Sequence, residues 1–126
     1  MKRLWIGVAV LIVLLGIGIS TTVFATHTHG DISQLLQQAS ESALRGNWQE
    51  AKTLSLAAKE RWETCRRLTA SIADHEPMEQ IDDLFAQMEL YVWTRQQIPL
   101  AACCASLSVL TEAMAEAHAI NWWSLL

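Results

Sequence analysis

From Leu4 to Ile19 the chain carries no polar side chain; it reads LWIGVAVLIVLLGIGI. The milder STTVFA follows, and Lys2 and Arg3 precede the run. Leu4 to Ala25 is long enough, at ~1.5 Å per residue, to cross a ~30 Å hydrocarbon core. The basic start predicts an N-terminus inside and everything after Ala25 outside. A cleaved signal peptide is the alternative, because Val23-Phe24-Ala25 has the small-residue spacing of a cleavage site. Both readings export residues 26–126.

Beyond a short linker at 26–30, HTHG included, the apolar spacing is helical and no stretch alternates with a period of two. Asp31 is placed to cap a first helix, with Gln34 as its capping-box partner. Ile32, Leu35, Leu36, Ala39 and Ala43 share one face of it, and Gly46 suits its C-terminal end. Asn47 then caps a second helix, with Glu50 in the box position. Ala51, Leu54, Ala58, Trp62, Cys65, Leu68 and Ile72 form its apolar stripe, and alternating acids and bases dress its other face. Pro77 and the acids around it suit the first turn of a third helix. Met78, Ile81, Leu84, Phe85, Met88 and Val92 are its buried stripe. After the break TRQQIP, Pro99 starts a fourth helix. Its seam is Leu100, Cys103, Leu107, Leu110, Met114 and Ala117, in steps of three and four. Short connections then predict an all-α fold, an N-terminal transmembrane helix (1–25) followed by a four-helix antiparallel bundle within 31–126. ALRGNWQEA has the look of a tetratricopeptide turn, but no repeat accompanies it.

Composition narrows the partners. The nine basic residues include Lys2 and Arg3, so seven remain beyond residue 25 against all thirteen acids, a net charge of −6 for the exported part. No basic patch is left to track a phosphate backbone, so nucleic acid is not an expected partner. The membrane, through residues 4–25, and a protein of unspecified kind are. The oligomeric state is open.

Up-down-up-down topology would gather His27, His29, His75 and His118 at the membrane-facing end, with Asp74, Glu76 and Glu116 near in sequence. His75, His118 and Glu76 are therefore candidate metal ligands, since imidazole and carboxylate suit zinc, copper or nickel. The spacing argues against a site, because Glu116-x-His118 diverges on a helix and no Glu-x-x-His pair is present. No metal or other cofactor is expected. Cys65 and Cys103 fall on neighbouring stripes and are placed for an interhelical disulfide, and Cys104 should face away. The bland alternative is that all three are small core residues. No nucleophile elbow, phosphate-binding glycine loop or His-Glu-x-x-His occurs, so no catalytic residue is assigned and the chain is not expected to be an enzyme.

Six tryptophans are present. Trp62 should be core, Trp48 a seal near the second helix cap, and Trp93 either core or an exposed anchor. Asn121 should end the last helix, leaving Trp122 and Trp123 as a candidate interface. They would meet the membrane, the base of the bundle or a partner.

A tryptophan in the long helix (Trp62), a His-Glu turn before an Ile/Leu-rich helix (His75, Glu76, Ile81, Leu84) and an Asn-containing end (Asn121, Ser124, Leu125, Leu126) together resemble a bacterial family known as a domain of unknown function, number four-three-six-three. The likeness covers roughly Trp62 to Leu126 and the placement of the anchor. Where the family often ends Asn-Ile-Leu, this chain has WWSLL. The resemblance implies membrane attachment and a helical fold and brings no activity. The resulting expectation is a single-pass protein with an outward helical domain serving a non-enzymatic interaction or scaffold role in the cell envelope. An extracytoplasmic metal- or redox-sensing module is the alternative.

Overall fold

A computed structural model describes the backbone of residues 1–69 and 75–124 and the side chains of 1–20, 30–68 and 77–117. These residues form four helices and no strand: α1 (Lys2–Leu44), α2 (Trp48–Thr69), α3 (His75–Trp93) and α4 (Gln97–Ser124).

The anticipated linker at 26–30 is helix. α1 is a single element of 43 residues, about 64 Å long at 1.5 Å per residue. Asp31 and Gln34 therefore sit inside it, not at a cap. The segment between the apolar run and the first core residue holds no proline, and its one glycine is isolated. A lone mid-helix glycine costs roughly 1 kcal/mol against alanine. Stopping and renucleating a helix costs about 4 kcal/mol, from a nucleation constant near 10⁻³. Propagation wins. Asp31 instead faces α2, where its Oδ2 lies 3.5 Å from Nη1 of Arg61.

The two halves of α1 differ in surroundings. Residues 1–20 are exposed, with Gly18 alone half-buried. From Ile32 onward the helix is a wall of the core, burying Ile32, Leu36, Ala39 and Ala43 as the periodicity predicts. The core takes Ala51, Ala58 and Trp62 from α2, Met78, Ile81, Phe85, Met88 and Val92 from α3, and Leu100, Ala101, Cys103, Cys104, Leu107 and Met114 from α4. Leu35, Leu54, Leu84 and Leu110 are half-buried against it.

Two turns carry αL residues that end helices. At Gly46 (φ 79°), Gly46 N–H donates to the Ala43 carbonyl at 3.1 Å and Asn47 N–H to Ser42 at 2.9 Å. This is the Schellman arrangement. Arg95 (φ 54°) repeats it at the end of α3, with Arg95 N–H on Val92 at 3.4 Å and Gln96 N–H on Tyr91 at 3.1 Å. The Asn47 cap is as expected: Glu50 N–H donates to Asn47 Oδ1 at 3.4 Å and Asn47 Nδ2 to Glu50 Oε2 at 2.8 Å. Pro77 lies in the first turn of α3. Pro99 lies in the first turn of α4, which starts two residues earlier than expected, at Gln97.

α4 packs most heavily on α1 and also on α3. Its buried arc is wider than one heptad seam: Cys104, Thr111, Ala101 and Ser108 are buried together with Leu100, Leu107 and Met114. Over Gln97–Ala117 it is long and apolar enough to cross a membrane, but 44% of that stretch is buried against other helices. We read it as a core helix. Ala117, expected in the seam, is exposed, and so is Leu68 at 64%. The buried positions Ala51, Ser55, Ala58, Trp62 and Cys65 alternate steps of four and three, and Leu68 falls outside that sequence of steps. Ile72 lies outside the described residues.

Serines knit α1 to α4. Ser33 Oγ donates to the Ser108 carbonyl at 3.1 Å and Ser108 Oγ donates back to the Ser33 carbonyl at 3.2 Å. Ser40 Oγ donates to the Ala101 carbonyl at 2.8 Å, and Gln97 Nε2 donates to the Ala43 carbonyl. As one number rises the other falls in step, so the two helices are antiparallel. Hydroxyls reaching a facing backbone directly require close helix axes, which only small side chains permit.

Two stability outcomes follow from this geometry. Arg95→Gly should raise stability by about 1 kcal/mol by relieving the αL strain, seen as a thermal midpoint shift of roughly 4–8 °C in helical circular dichroism. Ser40→Ala should cost about 1 kcal/mol, whereas Ser40→Leu should cost a further ~1–3 kcal/mol by forcing the helices apart. Equal midpoints for these two Ser40 variants would contradict the close seam.

Candidate functional site

α2 and α3 pack less closely on each other than the other neighbouring pairs do, and a cleft of about 640 Å³ opens between them. Trp62 (1% exposed) and Phe85 (2%) form its floor. Their rings stack at a centroid distance of 6.0 Å with 19° between planes. The helical step from Trp62 places Lys59, Glu63 and Arg66 at three and four residues away, on the rim of that face. α3 answers with Asp82 and Glu89, one on each side of Phe85.

The rim charges are matched across the cleft. Trp62 Nε1 donates to Asp82 Oδ1 at 2.7 Å, and the other oxygen, Oδ2, lies 2.6 Å from Arg66 Nη1. Lys59 Nζ donates to Glu89 Oε2 and lies 3.6 Å from Glu63 Oε1. The hydrogen bond to Glu89 lifts the Lys59 ammonium above its ordinary value against the opposing pull of burial. The same bond holds the Glu89 carboxyl below its ordinary value, with a smaller contribution from the Trp93 N–H. Trp93 is 65% exposed and carries the Lys52 ammonium 5.0 Å from its ring centroid, a cation–π contact. It is thus an exposed anchor. Trp48 is half-buried against the core.

This arrangement is an electrostatic clasp over an aromatic floor. Its charged groups neutralise one another, and its stacked rings are buried beneath them.

The structure contains no bond between Cys65 and Cys103, and all three cysteines are buried. Cys103 Sγ donates to the Leu84 carbonyl at 3.3 Å. Cys104 does not face away: it is fully buried, its Sγ 3.5 Å from Ser55 Oγ. α4 is enclosed on several sides, so adjacent residues both point inward. Burial raises the Cys65 thiol above its usual range. It raises Cys103 to about 11, with Cys104 adding to the effect. Burial also raises Cys104, partly offset by Ser55.

The remaining candidates lie at the ends of helices. The side chains of His75, Glu76 and His118 are outside the described residues, as are those of His27 and His29. Among the described residues no group of three or more His, Cys, Asp or Glu stands together. Asn121 does not end its helix: α4 continues through Trp122 and Trp123 to Ser124, and their side chains are outside the description.

The model of the family described as "Domain of unknown function (DUF4363)" matches residues 21–124. This chain belongs to the DUF4363 family. The match takes in all the core-forming helix of the protein and begins just past the exposed apolar run, further toward the N-terminus than the motifs at Trp62 and beyond suggest. No curated protein and no solved structure matches the chain. The Asp82 clasp was not legible as a site, since its residues read as a solvated face; the signal was Trp62 three and four residues from two basic side chains.

Asp82→Ala should destabilise the protein by about 1–3 kcal/mol, because it strands the Trp62 N–H and leaves Arg66 unpaired. An unshifted denaturant midpoint and unchanged Trp62 emission would contradict the clasp. The Lys59–Glu89 pair is partly exposed and contributes only about 0.2–1 kcal/mol. Glu89 is depressed, so its part is present at neutral pH and lost as pH falls through its lowered value. Lys59 is raised, so its part persists until pH climbs past its raised value. Thiol titration provides a separate check: at pH 8 about one Cys103 in a thousand is thiolate, so labelling in the folded chain should be far slower than in denaturant.

Proposed function

We propose that this DUF4363 chain is a single-pass membrane protein whose outward helices form an antiparallel four-helix bundle, serving as a tethered, non-enzymatic interaction or scaffold domain of the cell envelope. The observation that carries this reading is on α1. One unbroken helix exposes every apolar side chain from Leu4 to Ile17 and then, from Ile32, becomes a wall of the core. Such a contiguous apolar surface has no partner in water and suits a lipid environment. Lys2 and Arg3 support an inside N-terminus. Hydrogen bonds between α1 and α4, and the α2–α3 pairs Lys59–Glu89 and Arg66–Asp82, support the antiparallel order.

The interaction role draws on the mutual neutralisation of the cleft charges and on the exposed Trp93, Leu90 and Ile98. The redox-sensing alternative has less support, since all three thiols are buried and pushed toward their protonated form. Carbonate washing of membranes should leave the full-length chain in the pellet, and protease added outside intact spheroplasts should digest residues beyond the anchor. A soluble chain beginning after Ala25 would overturn the tether. Crosslinking in intact cells should capture a partner; a monomer alone under crosslinkers of several lengths would overturn the interaction role.

A further inference from the structure

The hydrogen bonds between α1 and α4 define a register. Ser33 meets Ser108 and Ser40 meets Ala101, and in both pairs the residue numbers total 141; Ala43 with Gln97 totals 140. Both helices continue past Ser33 and Ser108 without a break, α1 back to Lys2 and α4 on to Ser124. Extended at that register, position 116 would fall level with 25, and positions 122 and 123 level with 19 and 18.

That alignment joins two independent patterns in the sequence. Between Arg3 and Asp31, α1 has no charged residue, and its apolar segment closes at Ala25. On α4 the last charged residue is Glu116, and AHAINWWSLL after it has none. The apolar segment of α1 closes at Ala25, the position that the register sets level with Glu116, and nothing in their local sequence connects the two. Gly18 is the one half-buried residue among the first twenty.

We propose that the final turns of α4, from Ala117 onward, enter the outer leaflet beside α1, with phospholipid acyl chains and the glycerol region as their partner. This rests on the reading of α1 as a membrane anchor. A ~30 Å hydrocarbon core takes about 20 helical residues, so a core starting at Leu4 reaches about residue 23. Residues 18 and 19 are then about 6–8 Å below its outer edge at 1.5 Å per residue. Indole rings can reach from that depth toward the interface, the region tryptophan prefers. The protein would thus hold the membrane by one full span and one partial one, and the α1–α4 seam would run unbroken from the bundle into lipid.

The test uses the full-length chain in phosphatidylcholine vesicles whose acyl chains are brominated near the headgroup, with tryptophan quenching as the readout. The parent is compared with W5F and with W122F/W123F, all retaining the core Trp62. The quenched fraction should fall about twofold in W122F/W123F, and move little with bromines at the chain ends. An equal quenched fraction in parent and W122F/W123F, with W5F still losing quenching, overturns the insertion and leaves the anchor intact. Loss of quenching in neither variant overturns the anchor reading itself. Helical circular dichroism of each variant in the same vesicles, unchanged from the parent, shows that folding is retained.

Discussion

The contact on which the rest of the architecture depends is the close approach of α1 to α4. It is made by hydroxyls, not by large apolar side chains. Ser33 and Ser108 exchange hydrogen bonds with each other's backbones, and Ser40 reaches the Ala101 carbonyl. Each bond adds only about 1 kcal/mol net. Their larger effect is geometric. A seam of serine and alanine lets the helices approach until backbone carbonyls are within reach, and it fixes one register, because a slide by one residue would bury those hydroxyls without acceptors. Ser42 shows what that costs: it is fully buried, and its Oγ has no hydrogen-bond partner among the described residues.

With α1 and α4 held so, α2 packs chiefly on α1 and α3 on α4. α3 lies against it through Leu84, whose carbonyl accepts from Cys103, and α2 reaches it at Ser55 and Cys104. α2 and α3 are then left to meet each other across a wider gap. Charge fills that gap: the Trp62–Asp82–Arg66 and Lys59–Glu89 contacts bridge where apolar packing is thin. Polar contacts at a partly exposed cleft are weaker than buried apolar surface. The molecule therefore has a firm side, the α1–α4 seam, and a looser side, the α2–α3 cleft. Local opening is drawn from regions with few buried contacts, and here that region is the cleft.

Much of this was readable from residue patterns, where the determinant is local. The Asn47–Glu50 cap and the Gly46 turn need only a few adjacent residues, and both stand where expected. The α3 stripe of Met78, Ile81, Phe85, Met88 and Val92 is legible because that helix buries a single face. Three things were not. Asp31 with Gln34 looks like a cap, but a cap only matters where a helix starts, and continuity from the apolar run removed the need for one. Cys104 reads as outward on a single heptad seam, but α4 is enclosed on several sides and buries both Cys103 and Cys104. The serine seam was hidden because periodicity counts serine as polar, although the seven-residue spacings 33–40 and 101–108 were present throughout. The metal candidates His75, His118 and Glu76 fall where no side chain is described.

The unbroken α1 joins the exposed apolar run directly to the core. A flexible linker at 26–30 would let the core move independently of that run. A continuous helix has no such joint. Its peptide hydrogen bonds run from the apolar run into the core, so tilting one against the other requires bending or breaking helical turns. Gly30 is the weakest point along that path, yet a methyl added there would meet nothing within 4 Å; no close neighbour requires glycine at that position. The distal turns, Arg45–Asn47 and Thr94–Gln96, lie together at the far end of the seam, tied by Gln97 to the Ala43 carbonyl. Trp93 and Ile98 are both exposed near those turns. The link between the distal turns and the apolar run is thus a property of covalent continuity along α1 and of the serine seam.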